Sequence, residues 1–249
     1  MIVLKTAEDF KGMRAAGIIA AKALELGGSL VRPGISTLEI DRQIQKYIEA
    51  QGASAPCLGY HGFPCATCIS VNNAVIHGIP SAKQLLKEGD IVDIDVVVLY
   101  KGYHGDTAAT FPRGKVSEEA ERLMRVTREA RDLGILQAKA GNRVGDIAHA
   151  IQAHCEAAGF SMVREYTGHG VGFEMHEDPS IPNYGPAGRG MRLVAGMTVA
   201  IEPMVNLGGK EIRLLSDGWT AVTKDGSLSA HFEHSVGITD SDPVIFTAV

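Results

Sequence analysis

The sequence predicts an α+β fold in which two related halves each contribute a pair of helices and antiparallel strands. Three observations predict it: an internal repeat, four segments that read as helices, two of them with start signals, and Val/Ile-rich runs bounded by turn residues. The repeat holds at a constant offset of 107 residues. Gly34, Ile44, Gln45, Glu49, Ala50 and Gly52 in GISTLEIDRQIQKYIEAQG meet Gly141, Ile151, Gln152, Glu156, Ala157 and Gly159 in GNRVGDIAHAIQAHCEAAG. In the same register, Leu86, Gly89, Ile94 and Asp95 of LKEGDIVDID meet Leu193, Gly196, Ile201 and Glu202 of LVAGMTVAIE. Chance rarely supplies two windows in one register, so each half reads as helix–helix–strand. The expected organisation is one domain over residues 1–249, with halves of about 5–112 and 113–249.

The elements follow in chain order. Thr6, followed by Glu8 and Asp9, reads as the N-cap of a helix running to about Leu30, before Pro33. A second helix is expected over about Thr37 to Gln51, stopped by Gly52 in a left-handed conformation. Ile91 to Tyr100 is a β-rich run, and Lys101-Gly102 fits a two-residue hairpin loop into Tyr103 to Phe111. Ser117, with Glu118, Glu119 and Glu121 behind it, opens the third helix, and Asp146 to Ala158 forms the fourth. Further strands are expected around Val199 to Val205, Gly218 to Thr223 and His231 to Ile238. Four helices against mostly antiparallel strands give layered α+β packing.

Composition narrows the function by exclusion. The chain has 249 residues and a net charge of -5, so there is no basic excess to hold a phosphate backbone, and no direct nucleic-acid binding is expected. No apolar run approaches the ~18 residues of a membrane span, and the start lacks the pattern of an export signal. Four cysteines without framework spacing fit a reducing compartment, so the expected location is the cytoplasm.

Four acids stand where burial is expected. Asp95 lies in DIVDIDVVVLY, Asp106 in GDTAATF, Glu202 in TVAIEPMV and Glu233 in HFEHSVGI. A carboxylate buried alone costs several kcal/mol or takes up a proton, so it needs a counter-charge. The sequence places no Lys or Arg cluster beside these strands. With Lys101-Gly102 as the loop, Tyr100 opposes Tyr103, Val97 opposes Asp106 and Asp95 opposes Ala108. Asp95 and Asp106 then share a face as diagonal neighbours ~7–8 Å apart. The repeat brings Glu202 toward the same centre, and His169 in GHGVG adds an imidazole. Such a hard, oxygen-rich set suits paired divalent ions rather than a structural zinc. Two such ions ~3.5–4 Å apart activate water for hydrolysis.

These segments carry a family resemblance. IDVVVLYKGYHGDTAATF, TGHGVGFEMHEDP, TVAIEPM and FEHSVGIT resemble the metal-binding segments of the type I methionine aminopeptidases, and NNAVIHGIP and GWTAVTKDGSLSAHFEH match that subgroup. The match runs from about Lys5 to Ile238. The resemblance implies the duplicated pita-bread fold with pseudo-twofold symmetry, in the short bacterial form without an N-terminal zinc-binding extension. It implies Asp95, Asp106, His169, Glu202 and Glu233 as ligands of two divalent ions, of Co, Mn, Fe or Zn. Asp95 would hold one ion, Asp106 and Glu233 would bridge, and His169 and Glu202 would complete the other site. Glu202 would also act as general base, and His77 and His176 would contact the scissile amide, His176 stabilising the oxyanion. Cys57, Tyr60, Phe63, Cys68, Met175 and Trp219 resemble the lining of a methionine pocket, where sulfur and aromatic walls suit a thioether; plain core packing is the competing reading. The backbone carbonyls of Asn72, Ala74 and Ser229 match a monovalent cation site of some relatives. The implied activity is removal of the initiator methionine from nascent proteins whose next residue is small, by a monomer working near the ribosome.

Two positions depart from the pattern: Met175 stands where many relatives carry an aromatic, and Val97 where threonine is frequent. Other motifs carry less. Cys65-Ala66-Thr67-Cys68 has redox spacing without the surrounding context. Gly168 to Gly172 is not followed by a helix, which excludes a dinucleotide loop. In His231-Phe232-Glu233-His234 the two histidines fall on opposite strand faces, so His231 at most packs near the acids. His61, His104, His149 and His154 are expected to be surface or structural. The alternatives are a proline-specific peptidase of the same fold, such as prolidase or aminopeptidase P, and a non-catalytic binding module.

Overall fold

Short-range chemistry at the helix ends sets the frame. The computed structural model describes residues 2–249. Helix α1 spans Ala7–Leu30, and its cap Thr6 forms a capping box: the hydroxyl accepts from the Asp9 amide while the Asp9 carboxylate accepts from the Thr6 amide. Helix α2 (Thr37–Ala50) is capped by Ser36, and α3 (Glu118–Leu136) by Ser117. Glu118, Glu119 and Glu121 face the positive end of α3. Helix α4 (Val144–Ala157) starts two residues before the expected Asp146. Asp146 is the third helical residue, and its carboxylate accepts from the Arg143 amide at 2.7 Å. Gly52 and Gly159 follow the second helix of each half with φ of 71° and 79°.

The strands are β1 (Cys68–Val71), β2 (Ala74–Ile76), β3 (Ile91–Tyr100), β4 (Tyr103–Pro112), β5 (Ser161–Met162), β6 (Gly168–Gly170) and β7 (Glu177–Ile181). They continue as β8 (Thr198–Ile201), β9 (Met204–Asn206), β10 (Ile212–Leu214), β11 (Ala221–Thr223), β12 (Ser229–His231), β13 (His234–Gly237) and β14 (Val244–Ile245). Their order is β1-β3-β4, β10-β11-β2, β12-β9-β5 and β14-β13-β8-β6-β7, with antiparallel pairing. The hairpin has the expected register, Tyr100 opposite Tyr103, Val97 opposite Asp106 and Asp95 opposite Ala108. Lys101 and Gly102 turn it with φ of 51° and 84°, the primed turn that matches strand twist.

Three expected strands are shorter or broken. The run from Val199 stops after Ile201 and resumes at Met204, because Pro203 has no N–H for the ladder. The run from His231 is interrupted at Glu233, whose amide donates instead to the Ala108 carbonyl at 2.9 Å. The third begins at Ala221 rather than Gly218, because Asp217 draws the Trp219 and Thr220 amides into a turn.

The repeat recurs in the backbone. Gly34 N–H donates to Leu86 O and Gly141 N–H to Leu193 O, while the bridges Ser36–Leu85 and Arg143–Arg192 keep the same 107-residue offset. One core packs α3 and α4 on the strands of the second half, and another packs α1 and α2 on β3. Helix α1 lies on β4 backbone to backbone, since a Cβ on Gly105 would meet the Gly17 amide nitrogen at 2.7 Å. The halves join along β4. Asp106 N–H donates to Ser235 Oγ at 3.0 Å, Thr107 Oγ1 to Glu233 O at 2.9 Å and Thr110 Oγ1 to His231 O at 3.0 Å. That seam carries acids of both halves to one place.

Candidate metal centre

Asp95 and Asp106 project from one face of the β3–β4 hairpin, Glu202 stands at the break after β8, and Glu233 sits between β12 and β13. Asp106, Glu202 and Glu233 are buried. Asp106, His169 and Glu233 each present a ligand atom, all within 4.8 Å of one another. His169 Nε2 lies 3.4 Å from Glu202 Oε1 and 3.7 Å from Asp106 Oδ2. His169 Nδ1 is 2.8 Å from the Gly170 carbonyl, which can only accept, so Nδ1 carries the proton and the Nε2 lone pair points into the space between the acids. Burial holds this imidazole well below its ordinary value, at about 4, so it is neutral near pH 7.

The electrostatics call for a cation. Burial, with further repulsion from Asp93 and partial relief from His231, lifts Asp95 to about 7. Burial lifts Glu202 to about 8, with His231 opposing and Asp95 and Asp93 adding to the rise. Asp106 and Glu233 are pushed well above the carboxylate range by burial and by the other acids. Asp95 Oδ1 and Glu233 Oε1 are buried without a hydrogen-bond partner. Unsatisfied carboxylate oxygens beside one imidazole lone pair fit divalent cations.

A cavity of about 370 Å³ opens onto these acids. Every residue expected for the methionine pocket lines it, Cys57, Tyr60, Phe63, Cys68, Met175 and Trp219, and so do His77 and His176. Cys57, Phe63, Cys68, Val97 and Met175 pack as one apolar cluster with Trp219 against it, so the packing and pocket readings of these side chains coincide. Phe63 meets Trp219 edge-on at 5.1 Å. Burial pushes the Cys57 and Cys68 thiols far up, so both walls are neutral sulfur. Met175 and Val97 both belong to this wall.

The two other histidines face the cavity from different elements. His77 follows β2 with φ of 58°, a left-handed conformation rare for a residue with a side chain, and its ring meets Tyr166 edge-on at 5.4 Å. Burial, with His231 and His176 adding, depresses it to about 4. His176 Nδ1 lies 3.0 Å from the Tyr60 hydroxyl, and its ring centre is 4.4 Å from that of His169. The loop carrying Met175 and His176 is held by Glu177, which accepts from the Phe173 and Glu174 amides and pairs with the buried Lys5.

Sequence reasoning missed several neighbours. Glu165, Tyr166 and Thr167 also line the cavity; Thr167 opens the TGHGVGFEMHEDP segment but was given no role, and no motif marked the other two. His231 does more than pack nearby: it is 2% exposed, with Nδ1 3.4 Å from Asp93 Oδ2 and Nε2 3.8 Å from Glu202 Oε2. Strand alternation could have flagged Asp93, which shares a face with Asp95. His104 is structural, buried with Nδ1 3.1 Å from the Gly172 carbonyl, and His154 pairs with Glu129. All four cysteines are free thiols, in line with an incidental Cys65–Cys68 spacing.

The sequence pattern of Metallopeptidase family M24 matches residues 11–240. The chain belongs to metallopeptidase family M24. Within M24 it is 50% identical, over the full length of both chains, to the methionine aminopeptidase of Clostridium perfringens. It is 49% identical to that of Escherichia coli, covering 99% of this chain and 94% of the relative. The solved methionine aminopeptidase of Rickettsia prowazekii superposes with a TM-score of 0.98 at 43% identity, over all of both chains. The pita-bread α+β arrangement of M24 is thus the fold of this chain, and use of a divalent metal by M24 enzymes accords with the acid cluster. Among the described residues no helix is long and apolar enough to cross a membrane.

Proposed function

We propose that this M24 chain is a methionine aminopeptidase that removes the initiator methionine from nascent polypeptides when the next residue is small. The observation that carries the reading is one cavity whose sulfur- and aromatic-lined end adjoins His169 and four acids, Asp95, Asp106, Glu202 and Glu233, the last three of them buried. The full-length relatives named for this activity support it. Asp95, Asp106, His169, Glu202 and Glu233 would hold two divalent ions, of Mn, Fe, Co or Zn. When bound there, divalent ions supply Lewis acidity and nucleophile activation at neutral pH.

The chain's own groups do the rest. The apolar wall takes the thioether of the substrate methionine and excludes water from it. Glu202, whose Oε1 lies on the His169 side, is the base that takes the proton from the attacking water. With the Tyr60 hydroxyl donating to His176 Nδ1, the His176 Nε2–H is left to donate to the oxyanion that develops on the scissile carbonyl. His77, neutral in its buried site, donates to the same amide. The enzyme works as a single catalytic unit of two halves, about residues 5–112 and 113–249, as a cytoplasmic monomer meeting its substrates near the ribosome. A monovalent cation would bind the carbonyls of Asn72, Ala74 and Ser229; the Ser229 amide donates to the Asn72 carbonyl at 2.9 Å, which joins two of the three segments.

The test uses chelator-stripped protein reloaded with Mn or Co, assayed on Met-Ala-Ser, Met-Leu-Ser and Ala-Pro-Ala. Activity is expected only after loading, and on Met-Ala-Ser far above the other two. Preference for Ala-Pro-Ala, or equal kcat/KM on Met-Ala-Ser and Met-Leu-Ser, would overturn the reading.

A further inference from the structure

Two buried polar side chains beside the metal centre have no part in the chemistry so far. Asp93 and His231 are each 2% exposed, and they come from different halves. His231 Nδ1 faces Asp93 Oδ2 at 3.4 Å, and its Nε2 faces Glu202 Oε2 at 3.8 Å. Nε2 is buried with no hydrogen-bond partner, so the Glu202 carboxylate is the acceptor it faces. Glu202 is therefore flanked by two imidazoles, with Oε1 toward His169 and Oε2 toward His231.

The repeat gives the placement a reason. Val97 opposes Asp106 in the first half, and its counterpart 107 residues on, Met204, opposes His231 in the second. His231 thus stands at the position that holds Asp106 in the first half. His231 is fixed on its backbone as well, since its amide and carbonyl both bond Thr110 Oγ1 across the seam.

We infer that Asp93 and His231 are positioning residues for Glu202, with Asp93 orienting the ring and the ring donating from Nε2 to Glu202 Oε2. One carboxylate oxygen is thereby held, and the other is presented to the ion and the substrate. A side chain that grips a ligand from behind typically changes metal affinity or activity ~10–100-fold when removed. The inference rests on the reading of Glu202 as a metal ligand and base.

The test uses full-length His231→Leu, His231→Gln and the double variant Asp93→Asn/His231→Gln. Each is stripped of metal and titrated with Mn by calorimetry, with kcat and KM measured separately on Met-Ala-Ser and folding followed by thermal melts. His231→Leu is expected to lower the affinity of one of the two divalent sites ~10–100-fold and to lower kcat more than KM changes. The double variant replaces the carboxyl–imidazole pair by two amides yet keeps an amide donor toward Glu202, so it should recover most of the affinity and kcat. It is also the variant that stays informative if His231→Leu fails to fold, because it leaves no buried Asp93 carboxyl without a polar partner. Two outcomes would overturn the inference: His231→Leu with unchanged metal affinity and kcat, or a double variant as impaired in both as the Leu variant or, where that does not fold, impaired ~10-fold or more. Failure of the underlying reading looks different, since the unmodified protein would then bind no divalent ion or leave Met-Ala-Ser uncut.

Discussion

The two halves repeat one plan and hold their acids in opposite ways. In the first, β3 and β4 run unbroken through a two-residue turn, and Asp95 and Asp106 sit inside a continuous ladder. In the second, the matching strand splits at Glu202 and Pro203 into β8 and β9, and the return strand splits at Glu233 into β12 and β13. The turn is replaced by residues 207–228, which carry Trp219 into the cavity. The acids of the first half are placed by main-chain pairing. Those of the second depend on individual bonds: Asn183 Nδ2 donates to the Glu202 carbonyl at 3.1 Å, and the Glu233 amide donates to Ala108 O. Duplication supplies a symmetric frame, and breaks in one copy free the backbone to bring in a pocket wall.

The strongest way to break the comparison is to remove one acid from each half. Asp106→Asn and Glu233→Gln should both lower kcat/KM by at least ~10³-fold, since the electrostatic stabilisation at stake is several kcal/mol. Both proteins should melt no lower than the wild type in metal-free buffer, because each loses a carboxylate that burial and its neighbours disfavour. Steady-state kinetics with added Mn, paired with melts in chelator, reads both quantities. Retention of activity by either variant would show that the centre is not shared between halves.

The next largest effect separates two histidines of one short segment. His169→Ala should lower metal affinity, with activity partly restored by excess metal. His176→Ala should bind metal normally while kcat falls ~10²–10³-fold and KM changes less, because the oxyanion contact matures only in the transition state. Metal titrations of both variants decide it. A His176→Ala protein rescued by high Mn would reverse the two assignments.

How much of this was legible in the sequence divides along the same line as the halves. The hairpin register, and with it the shared face of Asp95 and Asp106, followed from strand alternation and a Lys-Gly turn, because both are local rules. Three helices were legible from a cap or a stop, at Thr6, Gly52 and Ser117; the fourth carried no such signal and begins earlier than expected, with Asp146 a third-position acid rather than the first helical residue. The breaks at Glu202 and Glu233 were not legible, because they depend on the bond each segment makes across the seam. His231 was hidden for the same reason: its partners Asp93 and Glu202 lie 138 and 29 positions away, and only the fold puts them at its two nitrogens. The cavity wall needed the family motifs, since neither periodicity nor burial distinguishes a pocket-lining Cys57 from a core cysteine.

A gentler change sharpens the contrast. Asn183→Ala leaves every proposed ligand in place and removes only the amide that holds the Glu202 carbonyl beside the break. A displacement of about 1 Å at a reacting group costs up to ~10²-fold, so a loss of ~10–100-fold in kcat is expected, with smaller change in KM. No change in kcat would mean that Pro203 and β8 alone suffice to fix Glu202.

The smallest effect concerns the turn that keeps the first half continuous. Lys101 holds φ of 51° beside Gly102 at 84°, so the first turn position carries a side chain poorly suited to that conformation. Asparagine tolerates the left-handed region better, and Asn-Gly is the preferred pair for this hairpin. Lys101→Asn should therefore stabilise the protein by roughly 0.5 kcal/mol, by easing a conformation the native chain already adopts. For a chain of this length that is a rise of about 1–2 °C in Tm. Activity should not move, because the turn lies at the far end of a ladder that already fixes Asp95 and Asp106. A lower Tm would mean that Lys101 contributes through its side chain, which packs over the Tyr100 ring at 5.1 Å, more than it costs in backbone strain. The variant weighs one against the other at a site remote from the metal centre.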